Sequence, residues 1–291
     1  MLTFLLLAVL AADELPRRAM LGVYAGAARG GGTEIKGALP NSTASRLGLK
    51  AGDVILEVNG SKTPDSEALL NALARFRAGD SLTVTIKRKQ SRLTLRGSAV
   101  ERSREKWPGA DVNYGAVPHR GGKLRTILVT PTAVKRPPVV FFIQGVSCYS
   151  TEWDDPGMAL RQLFQPVVDS GFAVFRVEKL AVGDSEGPMR CRDASFSEEL
   201  AGFESAYRAL LRQPDLGPVY MVGHSMGGIQ APLLAQSVQV PAGVAVYGTV
   251  LEPWEEYLTK LFRVQPVIAS GSDPAAAARR ARLIAPVLRA Y

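Results

Sequence analysis

The chain is poor in the side chains that most often bind metals or move protons. It has two histidines and two cysteines in 291 residues. So few ligands, so far apart, exclude a structural zinc site, which takes four; no metal and no organic cofactor is expected. No histidine follows His224, and the only other one, His119, stands in the hairpin-like loop Val117–Gly122, where a surface position is expected. Long apolar runs are missing too. The one marked run, Leu2 to Ala12 (LTFLLLAVLAA), is too short to cross a bilayer as a helix. Nucleic-acid signatures are also lacking. Basic residues gather in one stretch, Lys87, Arg88, Lys89, Arg92, Arg96, Arg102, Arg104 and Lys106, and account for much of a net charge of +8. No helix-turn-helix, zinc spacing or RNA-binding motif accompanies them, so the stretch reads as a solvated strand and linker, and no nucleic-acid partner is expected.

What is present is an ordinary globular composition, 46% hydrophobic and 21% charged, on a chain long enough for two domains. The Leu2–Ala12 run ends in small residues and is followed by Asp13 and Glu14. That is the pattern of a secretory leader, although no Lys or Arg precedes it. Residues 1–12 are therefore expected to be a signal peptide or short hydrophobic leader. The protein is expected to be exported, periplasmic or secreted, with membrane association through the leader where it is not cleaved.

From Arg18 to about residue 102 short strands and turns surround one helix. Thr33–Leu39 is a strand closed by Pro40-Asn41-Ser42, and Asn59-Gly60 is a strong hairpin signal. Ser66–Phe76 sets Leu69, Leu70, Leu73 and Phe76 at helical spacing, and Ser81–Arg88 alternates as a half-buried strand. The run ASRLGLKAGDVILEVNG from Ala44 to Gly60 resembles the small helix, tight turn and central hairpin of a bacterial-type PDZ domain. The resemblance implies that a peptide, usually a protein carboxy terminus, adds as a strand beside the strand that follows an "LG" turn. Leu21, Gly22 and Val23 would form the carboxylate-binding loop and groove, with the Leu69–Leu73 helix as the other wall; Leu70 and Leu73 read equally well as core. Residues 103–117 show no period and are expected to be a linker.

Beyond it the pattern turns α/β. Val139–Ile143 is a continuous apolar run, as in a strand buried on both faces of a parallel sheet. Helices and strands then alternate: Met158–Asp169, Phe172–Val177, Ser197–Arg212, Val219–Val222, Ile229–Val238 and Val244–Tyr247. This argues for a doubly wound, mostly parallel sheet. Gly223-His224-Ser225-Met226-Gly227 is a G-x-S-x-G sequence directly between a buried strand and a helix, the context the motif requires. The glycines Gly223 and Gly227 let the serine sit on a sharp turn, and the helix N-terminus favours a developing oxyanion there.

With this motif the chain from roughly Tyr114 to Gly248 resembles the α/β-hydrolase fold, and a domain of that fold is expected over residues 118–291. The resemblance implies Ser225 as nucleophile, the Met226 N–H as one oxyanion donor and the Val146 N–H as the second, with Gln144-Gly145-Val146 standing where the family has His-Gly-x. Asp184, in Val182–Gly187, falls in a structural loop of the family rather than at its acid. Cys148 and Cys191 follow strands that neighbour each other in this fold, which implies a disulfide across the mouth of the site; two free thiols are the alternative. A serine needs a base, and the family supplies acid and histidine after the nucleophile. Here residues 254–263 and 274–291 read as helices, Glu252, Glu255 and Asp273 are the carboxylates at hand, and the domain is expected to be incomplete at its C-terminus.

The function expected is an exported serine hydrolase that cleaves an ester, thioester or amide of a small acyl substrate through an acyl-enzyme. The alternative is a non-catalytic PDZ scaffold with a degenerate hydrolase domain.

Overall fold

The computed structural model describes residues 14–28, 30–74 and 76–288. The leader expected over residues 1–12 lies outside them.

The first unit is built from β1 (Val23–Ala27), β2 (Thr33–Ala38), α1 (Thr43–Leu47), β3 (Val54–Val58), β4 (Ser61–Lys62), α2 (Ser66–Leu73), β5 (Ser81–Arg88) and β6 (Ser91–Ser98). Its strands run in the order β1-β2-β3-β5-β6, with β4 paired to β3, and every pairing is antiparallel. Local chemistry fixes the turns. Asn59 and Gly60 both take positive φ, the geometry of a tight hairpin, and join β3 to β4. The Ser42 hydroxyl caps α1 and Gly48, at φ 72°, ends it. Ile35, Ile55, Val84 and Ile86 form a core with no exposed surface.

The second unit contains β7 (Ala110–His119), β8 (Gly122–Pro131), β9 (Val139–Ile143), α3 (Ala159–Asp169), β10 (Ala173–Val177), α4 (Phe196–Leu210), β11 (Val219–His224), α5 (Met226–Ser237), β12 (Gly243–Tyr247), α6 (Trp254–Arg263), α7 (Gln265–Ser270) and α8 (Pro274–Leu288). The sheet order is β12-β11-β9-β10-β8-β7; β12, β11, β9 and β10 are parallel, and β8 and β7 run antiparallel. Burial on both faces explains the apolar strands. Val139, Phe141 and Ile143 of β9 pack with Phe203 and Tyr207 of α4 and Leu234 of α5. Val140 and Phe142 face the other way, onto Trp153 and onto Phe164 and Val168 of α3. The doubly wound layering follows from this period of two. Helices α6, α7 and α8 pack mainly on one another. Among the described residues no helix is long and apolar enough to cross a membrane.

Two expectations need correction. Residues 103–117 do not form a plain linker: Ala110 onward belongs to β7, which pairs with β8 along ten residues. β7 is an edge strand holding Gly115 and Pro118, so its alternation is faint; Pro118 is tolerated there because an edge strand need not donate on both sides. His119 was expected at the surface and is 6% exposed. The hairpin is tighter than its sequence implied: Arg120 and Gly121, at φ 43° and 75°, make the whole turn, and His119 ends the strand beneath α4.

The two units are held together by buried charge. Arg17, just before the first unit, donates to Asp184 at 2.7 Å and to Glu152 at 2.9 Å. Arg125 reaches Glu152, Glu178 and Asp184, and the Tyr114 hydroxyl donates to Glu152. Asp184 is thus part of this structural network. Nearby, Glu105 forms a two-pronged pair with Arg176 of β10 and also accepts from the Trp107 indole and the Trp153 N–H. At the periphery Arg77 meets Glu186 at 2.9 Å and Arg192 meets Glu67 of α2 at 2.8 Å.

Candidate active site

β11 ends in Gly223-His224, and α5 starts at Met226, so Ser225 is the single residue between strand and helix. It sits at φ 55° and ψ −122°. A non-glycine residue in this region is strained and is held there by its surroundings, a condition typical of functional turns. The holding contacts are backbone ones. The Ser225 N–H donates to the Tyr247 carbonyl at 3.0 Å, and its own carbonyl accepts from the Gly228 N–H at 2.9 Å. Three glycines permit the approach. A Cβ on Gly223 would lie 2.4 Å from the Gly227 carbonyl oxygen, one on Gly227 2.0 Å from the Ile143 carbonyl oxygen, and one on Gly228 1.8 Å from Thr249 Oγ1. The serine is half-buried.

The loop after β9 comes to the same point. A Cβ on Gly145 would stand 2.7 Å from Ser225 Cβ and 3.2 Å from its Oγ. Within the described residues neither the Val146 N–H nor the Met226 N–H is bonded. Gln144, where the family has histidine, is buried with Nε2 unpartnered. Just beyond, the Cys148 and Cys191 sulfurs are bonded, with Cα atoms 5.8 Å apart. On the chain-entropy account a closed loop of 43 residues stabilises by about 4 kcal/mol.

The histidines stand elsewhere. The His224 ring stacks on Tyr247 at 4.6 Å. His119 faces a small cavity under α4, with Nε2 unpartnered. Burial and the neighbouring Arg120 charge hold its pKa below the ordinary value, against the pull of Glu198. Of the carboxylates named after Ser225, Glu252 pairs with Lys260, and Asp273 accepts from the Ala276 N–H at the start of α8. No group of three or more metal-ligating side chains occurs among the described residues.

In the first unit Leu21, Gly22 and Val23 lead into β1, an open sheet edge facing α2. Gly22 has φ 72°, and a Cβ there would fall 2.3 Å from Ser42 Cβ. The Leu21 and Gly22 carbonyls accept from Ala44 and Leu39, while the N–H groups of Leu21 and Gly22 have no hydrogen bond among the described residues. On α2, Leu69 is core, Leu73 packs at its border and Leu70 is 64% exposed.

Sequence reading missed Lys179, Glu199 and the charged network. A lone lysine after a strand carries no pattern. Arg176 did carry a signal: a cation inside an otherwise apolar strand buried on both faces requires a buried partner.

Fold and site together define a small antiparallel unit followed by a mixed α/β sheet that carries a serine on a strand-to-helix turn. In particular, the chain is a PDZ domain followed by a domain of the α/β-hydrolase fold: family models for the PDZ domain match residues 35–97 and for the alpha/beta hydrolase fold residues 138–256. No curated protein matches the chain. Among solved structures it is similar to Est1E from Butyrivibrio proteoclasticus with bound ferulic acid, at 21% identity over 41% of this chain and 46% of that one, TM-score 0.34. It is similar also to XC6422 from Xanthomonas campestris, an α/β serine hydrolase without a lid, at 15% identity over 47% and 60% of the two chains, TM-score 0.37. The HtrA-type protease AlgW with a decapeptide matches at 26% identity over 30% of each chain, TM-score 0.29. The matched part therefore spans about half or less of the length of the first of these relatives.

Proposed function

We propose that the protein is an exported serine hydrolase that opens an ester, thioester or amide through an acyl-enzyme on Ser225. The observation that carries this reading is the strained Ser225 with Gly145 against its side chain and the neighbouring Met226 and Val146 amides unengaged. The Ser225 oxygen attacks an acyl carbon as its proton passes to a base other than His119 and His224. Two N–H donors stabilise the tetrahedral oxyanion, and its collapse forms the acyl-serine ester and expels the protonated alcohol, thiol or amine. The α5 N-terminus adds its dipole in the same direction. Export is supported by the leader pattern and by the Cys148–Cys191 bond, since such bonds persist in oxidising compartments. The PDZ domain supports peptide binding at the β1 edge, with the Leu21 and Gly22 N–H groups as carboxylate donors.

A second reading, capture by the PDZ domain without turnover, is favoured by one observation: the His224 ring is stacked on Tyr247 and His119 is enclosed beneath α4. Fluorophosphonate labelling separates the two. The first reading expects one modified residue, Ser225, found by peptide mass mapping, and no label on Ser225→Ala. A folded protein that takes no label at Ser225 sinks the hydrolase reading and leaves the second.

A further inference from the structure

Lys179 follows β10 and turns inward, leaving 5% of the residue exposed. Its ammonium donates to the Gly145 carbonyl at 2.9 Å and to Glu199 Oε1 at 2.7 Å. Glu199 belongs to the first turn of α4, where the helix dipole favours a carboxylate. Burial draws the Lys179 pKa below its ordinary value, and Glu199 works against that loss. A buried pair of this kind is a poor stabiliser compared with well-packed apolar side chains. Its effect falls instead on the peptide unit it holds.

In a planar trans peptide the carbonyl of one residue and the N–H of the next point in opposite directions. Fixing the Gly145 carbonyl on Lys179 therefore aims the Val146 N–H the other way. Gly145 itself lies against Ser225, close enough that a Cβ would meet the serine side chain. A cation on the carbonyl oxygen also polarises the amide and strengthens its N–H as a donor. We propose that Lys179, held by Glu199, is the positioning residue of the oxyanion site: it sets and polarises the Gly145–Val146 peptide unit so that the Val146 N–H faces the charge developing at Ser225. This inference rests on Ser225 being the nucleophile.

The test compares the whole protein with Lys179→Met, Lys179→Arg, Glu199→Gln and Ser225→Ala, using a fluorophosphonate as probe and separating its binding constant from its maximal rate of reaction. Loss of one oxyanion donor costs about 100- to 1000-fold, and misaiming one costs part of that. Lys179→Met is expected to slow the maximal rate by about 10- to 100-fold with little change in binding constant. Glu199→Gln should fall between it and the wild type, and Lys179→Arg should recover most of the rate. Thermal unfolding of each variant keeps loss of fold apart from loss of rate. If the wild type labels at Ser225 and folded Lys179→Met labels as fast, this inference alone is overturned. If the folded wild type takes no label at Ser225, the nucleophile assignment falls and takes the inference with it.

Discussion

Gly227 has no room for a methyl group, because the atoms it would strike are main-chain. A Cβ there would stand 2.0 Å from the Ile143 carbonyl oxygen, 2.7 Å from its carbon and 2.9 Å from the Gln144 oxygen. No rotamer change relieves this, so α5 would have to move off β9. Gly227→Ala is expected to lower stability by about 3 kcal/mol, as overpacking does. Gly121→Ala meets open space and suffers only from its φ of 75°, at about 1 kcal/mol. Urea unfolding of the two variants measures the contrast, and equal losses would mean that the Ser225 turn is not tightly packed. This site was legible in the sequence because glycine has few reasons to recur on both sides of a serine between a buried strand and a helix. Lys179 was not, since its importance lies in a carbonyl 34 residues away.

At the scale of elements, strands buried on both faces were plain in the sequence and the edge strand was not. Val139–Ile143 announced itself by five apolar residues in a row, all buried. In β7 only Val117 and His119 are buried, so its residues carry too little alternation to stand out as a strand. The segment ahead of it hides an interaction of similar weight, that of Glu105 with Arg176. Burial alone would push Glu105 up; the Arg176 charge and hydrogen bonds outweigh it and hold the carboxyl below its ordinary 4.5. A carboxyl depressed in the fold adds stability above its unfolded value, and that share is lost as pH falls through the folded value. Glu105→Gln strands Arg176 in the interior and is expected to cost about 3–5 kcal/mol at neutral pH. The gap to wild type should narrow as pH drops below about 4.5. Urea unfolding at pH 7 and pH 4 reads both values, and a gap that stays constant would mean Glu105 is not the titrating group.

Across the whole molecule two units are legible in the sequence, but how they meet is not. The join depends on long side chains from four separate stretches, residues 17, 102–105, 114–125 and 152–184, and no local pattern reports such a meeting. Arg17 is its centre, 7% exposed and bonded to Glu152, Asp184 and the Arg102 carbonyl. Arg17→Met removes one cation from a buried cluster and is expected to cost about 3 kcal/mol. In calorimetry it should also split a single melting transition into two, one for each unit. One unchanged transition would show that the units are coupled by other contacts.

Fastened in this way, the groove beside β1 and the turn at Ser225 keep a constant separation, unlike modules strung on a slack tether. Turning one unit against the other would first have to break these buried ion pairs, which opposes any hinge between them.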